Sequence, residues 1–184
     1  EARSQAGLFS LMSSLRTKGT RHLSSLEIAE QVESIGASLG SDASADYSLV
    51  SLKTVSADFA PMLALAAEII RYPSFAEAEL SLEQRLTLQS IRSMQEQPFT
   101  VAYNALRAAM YGEHPYGLPG IGTEKTVTQL TRDDLVEAHQ AYFRPDHCVM
   151  VIAGRITTEA AIALADQNFG DWAGPAHPLP SLAY

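Results

Sequence analysis

From Asp58 to Phe143 the sequence runs through helical segments one after another, and its strand-like runs stand only before and after that block. This order constrains the fold most. Asp58 reads as the cap of a strongly apolar helix that Tyr72-Pro73 stops, since proline cannot continue a helix. A charged helix is predicted from Glu77 to Gln95, and Pro98 opens another to Tyr111, a position that suits the first helical turn. Thr131 caps a further helix from Arg132 to Phe143.

Ahead of this block a helix is predicted from Ser4 to Arg16, stopped by Lys18-Gly19-Thr20. Ser24 and Glu27 then form a capping box, and the helix they open runs through Ile28, Val32 and Ile35 to Gly36. Two short strands follow, near Ala37–Ser41 and Tyr47–Val55. Behind the block, Cys148-Val149-Met150-Val151-Ile152-Ala153 reads as a buried strand, followed by Gly154 and a helix from Thr158 to Asn168. An early strand pair, grouped helices and a late lone strand predict an α+β fold, a single mainly antiparallel sheet packed against a layer of helices. Residues 1–174 form one domain in this reading, and 175–184, with Pro175, Pro178 and Pro180, a tail or linker.

The 184 residues are 46% hydrophobic, enough for one full core. Thirteen basic against 21 acidic residues give a net charge of −8, which argues against nucleic acid and anionic membranes as partners. No apolar stretch approaches the length of a membrane span. The single cysteine, Cys148, has no partner for an internal disulfide and is expected to be a small buried hydrophobe. The compartment is left open.

The run Gly7-Leu8-Phe9-Ser10-Leu11-Met12-Ser13-Ser14-Leu15-Arg16-Thr17-Lys18-Gly19-Thr20 carries three serines at helical spacing. Taken alone they are small polar residues on a helix face. Further along stand His114-Pro115-Tyr116-Gly117, Gly122-Thr123, Leu135 through Tyr142 with Pro145, Val149 through Gly154, and Phe169-Gly170-Asp171-Trp172. In order and spacing, over nearly the whole chain, these resemble the first domain of the pitrilysin-type zinc metallopeptidases, peptidase family M16. That family includes the mitochondrial processing peptidase subunits and the core proteins of the bc1 complex. Its opening strands and second domain have no counterpart here, so a piece of a longer protein is expected.

The resemblance implies a zinc helix of the form His-x-x-Glu-His. Two histidines four positions apart grip zinc, and the glutamate between them activates water. Here the histidine positions are Ser10 and Ser14 and the glutamate position is Ser13. The family's third ligand, a later glutamate, falls on Ser90, whereas a second acidic position keeps Glu83. The stretch Gly40-Ser41-Asp42-Ala43 departs from the family's Asn-Ala-x-Thr strand along the substrate channel. Serine hydroxyls neither hold zinc nor activate water. Ser10, Ser13, Ser14 and Ser90 are therefore expected to be a vestigial site, with no catalytic residue, metal or cofactor.

The other candidates are weaker. His114, before a proline in a turn, orders its loop, and His22, His139, His147 and His177 have no partner at metal-site spacing. Asp133 and Asp134 complement a helix dipole. No Gly-x-Ser-x-Gly elbow or phosphate-binding glycine loop is present. The resemblance implies a catalytically inactive homologue, the substrate-binding or structural partner of a zinc-bearing M16 subunit in a hetero-oligomer, or a homodimer, with extended peptides as ligands. The alternatives are a structural subunit like the respiratory core proteins, or an active zinc endopeptidase with relocated ligands such as His114 with acidic residues.

Overall fold

The computed structural model describes residues 3–174. The expected tail at 175–184 lies outside the described residues.

Helix α1 (Leu8–Arg16) follows a short 3-10 turn at Arg3–Gln5. The expected continuous helix from Ser4 is interrupted at Gly7, whose φ of 93° is left-handed. The break has a packing cause: a Cβ on Gly7 would sit 2.7 Å from the Ile121 carbonyl oxygen. Past it, Leu8, Leu11, Met12 and Leu15 repeat at helical spacing and are all buried. Helix α2 (Ser25–Glu33) begins at the expected capping box, with the Glu27 carboxylate accepting the Ser24 N–H at 2.8 Å. Gly36 follows it with a φ of 63°.

Strands β1 (Ser38–Ala43) and β2 (Ser48–Lys53) pair antiparallel, Leu39 opposite Leu52 and Ser41 opposite Val50. Leu39, Val50 and Leu52 pack inward, whereas Tyr47, Leu49 and Val55 stay exposed. Against this face lies α3 (Phe59–Arg71), whose Met62, Leu65 and Ile69 join Ile28 of α2 in one core. Asp58 stands at the N-cap position of α3 as expected, but it also closes a 3-10 turn, Ser56–Asp58, and its side chain makes no cap bond. Its near-helical ψ of 5° differs from the extended backbone from which a capping side chain reaches back.

Helices α4 (Glu77–Gln95) and α5 (Pro98–Tyr111) have the expected bounds. Helix α6 (Glu124–Gln129) was not foreseen; Thr123 and Thr126 cap it reciprocally, with threonine where a capping box usually has a long acidic residue or amide. Helix α7 (Arg132–Tyr142) starts at Thr131, whose side chain and Asp134 form another box. Helix α8 (Thr158–Phe169) is last. The larger core joins α1 to Phe75, Leu80, Ile91, Val127, Leu130 and Leu135. The fold is α+β, a two-stranded antiparallel sheet packed against helices among the described residues. No helix among them is long and apolar enough to cross a membrane.

Two expectations fail together. The stretch 148–153 forms no ladder, and Val149 and Val151 are 88% and 84% exposed. An apolar run becomes a buried strand only where another strand satisfies its backbone, and among the described residues β1 and β2 pair only with each other. Cys148 is accordingly exposed rather than buried, although partial desolvation pushes its thiol up.

Candidate functional site

Helix α1 presents Ser10, Ser13 and Ser14 at spacings of three and four, so they share one helical face. Ser13 is buried, and Ser10 and Ser14 are half-buried. The N-terminal end of this helix is fixed by tertiary contacts. Thr126 Oγ1 donates to the Ala6 carbonyl at 2.7 Å, and Gly7 meets the Ile121-Gly122 backbone. Helix α4 packs beside α1 and carries Ser90, which is exposed; its hydroxyl turns back to the Leu86 carbonyl at 3.0 Å on its own helix. Glu83, on the same helix, is half-buried.

Of the four serines, the structure ties Ser13 into a side-chain network. Its Oγ lies 2.9 Å from Ser41 Oγ on β1, and Arg16 Nη1 donates to the same Ser41 oxygen at 3.0 Å. Arg16 is fully buried, with its guanidinium 3.9 Å from the centre of the Phe143 ring. Burial lowers its pKa to about 10, so it is a cation at neutral pH. His139 stacks on Phe143 at 5.1 Å, and its Nε2 bonds the Ile70 carbonyl at 2.7 Å. Burial first, with the charge of Arg16 assisting, pulls the His139 pKa down to about 4 against the opposing Ile70 bond.

Arg16 is the residue that sequence reasoning missed. The signal was present: Arg16 stands four positions after Met12, on the helix's apolar stripe, where a charge has no place unless its head group is held.

The other histidines do structural work. His114 Nδ1 accepts the Tyr116 N–H at 3.2 Å and orders its loop, which Tyr116 ties to the hairpin turn through Asp46 at 2.5 Å. His22 bonds Glu68 at 2.8 Å, and His147 lies 4.0 Å from Asp146. His177 lies outside the described residues.

This chemistry does not fit a zinc ion. Neutral hydroxyls replace ring nitrogens and carboxylate, and a fixed guanidinium cation lies within two hydrogen bonds of Ser13. Among the described residues, no group of three or more His, Cys, Asp or Glu side chains could hold a metal.

The sequence profile described as Insulinase (Peptidase family M16) matches residues 1–124, and that described as Peptidase M16 inactive domain matches residues 129–183. The uncharacterized zinc protease YmxG of Bacillus subtilis is 29% identical over 155 residues, 84% of this chain and 38% of that protein. The crystal structure of the peptidase M16 inactive domain from Pseudomonas fluorescens superimposes with a TM-score of 0.87 at 26% identity, over 98% of this chain and 45% of that one. A protease structure from Helicobacter pylori shares the fold with a TM-score of 0.92 at 21% identity, over 98% and 44% of the two chains. The chain therefore spans less than half the length of these relatives. Carried by a profile that covers most of its 184 residues, the chain belongs to the insulinase family, peptidase family M16.

Proposed function

We propose that this chain is a catalytically inactive M16 domain that serves as the substrate-binding or structural partner of a zinc-bearing M16 subunit. One observation carries the reading: the α1 face that would need two imidazoles and a carboxylate presents Ser10, Ser13 and Ser14, and the Ser13 hydroxyl is joined through Ser41 to a buried guanidinium. A serine triad of this kind has no anionic ligand for zinc and no base for water. Ser90, on the neighbouring helix, supplies no carboxylate either. Residues 1–174 act as one domain in this proposal. Peptide processing or degradation is then the work of an assembly, with hydrolysis on the partner.

The test is zinc content and peptide cleavage, measured on the chain alone and after mixing with a zinc-bearing M16 subunit. The expected outcome is no retained zinc and no chelator-sensitive cleavage by the chain alone, with altered cleavage by the mixture. One tightly held zinc per chain, with cleavage that a chelator abolishes, overturns the proposal.

A further inference from the structure

Arg16 is 0% exposed, and among the described residues only one of its three guanidinium nitrogens has a hydrogen-bond partner. Nη1 donates to Ser41; Nε and Nη2, both buried, have none among the described residues. Those two atoms form the side-on edge of the guanidinium, where two N–H groups point the same way and match the oxygens of a carboxylate.

The chain uses that edge three times elsewhere. Arg92 closes Nε and Nη2 on Glu124 Oε2 at 3.1 and 3.0 Å. Arg107 closes them on the Tyr116 carbonyl at 3.1 and 2.7 Å. Arg144 forks Asp146, Nε to Oδ1 at 2.8 Å and Nη2 to Oδ2 at 2.6 Å. Arg16 is buried more deeply than Arg144 or the exposed Arg92 side chain, yet no ion pair among the described residues includes it. A buried charge with two unmade hydrogen bonds costs a fold heavily, whereas a carboxylate at that edge settles both.

We propose that the Nε/Nη2 edge of Arg16 is a receptor for a single carboxylate supplied by a bound polypeptide. Ser41 and Ser13 are positioning residues: they hold Nη1, so the fork keeps one orientation, while the Phe143 face supports the cation from the ring side. Ser41 is half-buried, which places the cluster near the surface of β1. The edge itself is covered, so entry requires neighbouring side chains to shift and association is slow for an ion pair. The choice of a polypeptide as the source rests on the proposed function; the carboxylate chemistry does not.

The test follows the backbone amide resonance at position 41, beside the guanidinium and kept by the parent and every variant, in the 15N-labelled chain as sodium acetate replaces sodium chloride at constant ionic strength. A saturable shift is expected, absent in Arg16→Gln and weakened roughly tenfold or more in Arg16→Lys, which keeps the charge but loses the fork. Melting curves of both variants show that each is folded. Ser41→Ala, which leaves the fork and frees Nη1, is expected to weaken acetate several-fold.

Three peptides alike except for a free C terminus, an amidated C terminus, or an internal Glu replaced by Gln then separate terminal from side-chain carboxylate. If acetate binds and none of the peptides does, the polypeptide source is wrong. If the resonance ignores acetate, or moves equally when chloride alone is raised, the receptor is overturned. Neither result touches zinc content or cleavage, so failure here is separate from failure of the proposed function.

Discussion

Gly7 and Gly122 meet backbone to backbone: a Cβ on Gly122 would lie 2.5 Å from the Ala6 carbonyl oxygen and one on Gly7 2.7 Å from that of Ile121. Both residues are left-handed, at φ 86° and 93°. The contact sets where α1 begins, and so where its serine face lies. Gly122→Ala must move backbone as well as accept an unfavourable φ, and is expected to cost about 2–4 kcal/mol. Gly36→Ala, at φ 63° with nothing within 4 Å, supplies the control and should cost only about 1 kcal/mol. Urea unfolding of the two variants checks the difference; equal losses would remove the packing argument.

Replacing Arg16 with leucine is expected to stabilise the chain. Burying a cation without a carboxylate is unfavourable, and leucine fits a stripe already formed by Leu8, Leu11, Met12 and Leu15. The gain should be roughly 1–3 kcal/mol, read as a higher denaturation midpoint. A drop in midpoint would mean that the guanidinium's packing on Phe143 outweighs its desolvation.

Acid should weaken the fold through His139. Its folded pKa is about 4, below the ordinary value of 6.5, so the unfolded chain binds the proton more readily. The contribution is fully present above pH 6.5 and falls away as pH drops towards 4, with no further change from this group below that. The loss is at most about 3 kcal/mol. Denaturation midpoints across that range, for the parent and His139→Gln, should show the slope shrinking in the variant.

Restoring ligands alone should not restore a good metal site. The triple variant Ser10→His, Ser14→His, Ser90→Glu is expected to hold zinc roughly tenfold more weakly with Arg16 present than with Arg16→Gln, because the guanidinium repels a second cation across the Ser41–Ser13 bonds. Competition with a zinc indicator measures the ratio. Equal affinities would show that the Arg16 charge is not felt at the helix face.

Val149→Lys and Val151→Lys should each change the stability of this chain by less than about 0.5 kcal/mol, since both side chains are almost wholly exposed. A large loss on thermal unfolding would show that the run 148–153 is buried, as its composition suggests.

Much of the helical framework was legible locally. The capping pairs Ser24–Glu27 and Thr131–Asp134, and the proline at Pro98, act within a few residues of themselves, so the sequence alone determined those starts. The replacement of ligand types by Ser10, Ser13, Ser14 and Ser90 is likewise a property of the sequence, needing only a helix to put the first three on one face. What tertiary structure decided depends on distant partners. Gly7 breaks the first helix because Ile121 lies across it, and Ser13 is tied to Arg16 through Ser41 on another element. Periodicity likewise marks 148–153 as a strand, but a ladder needs a second strand, and β1 and β2 have each other. Local signals set what each segment prefers; burial and hydrogen-bond satisfaction, which are settled between segments, set what it becomes.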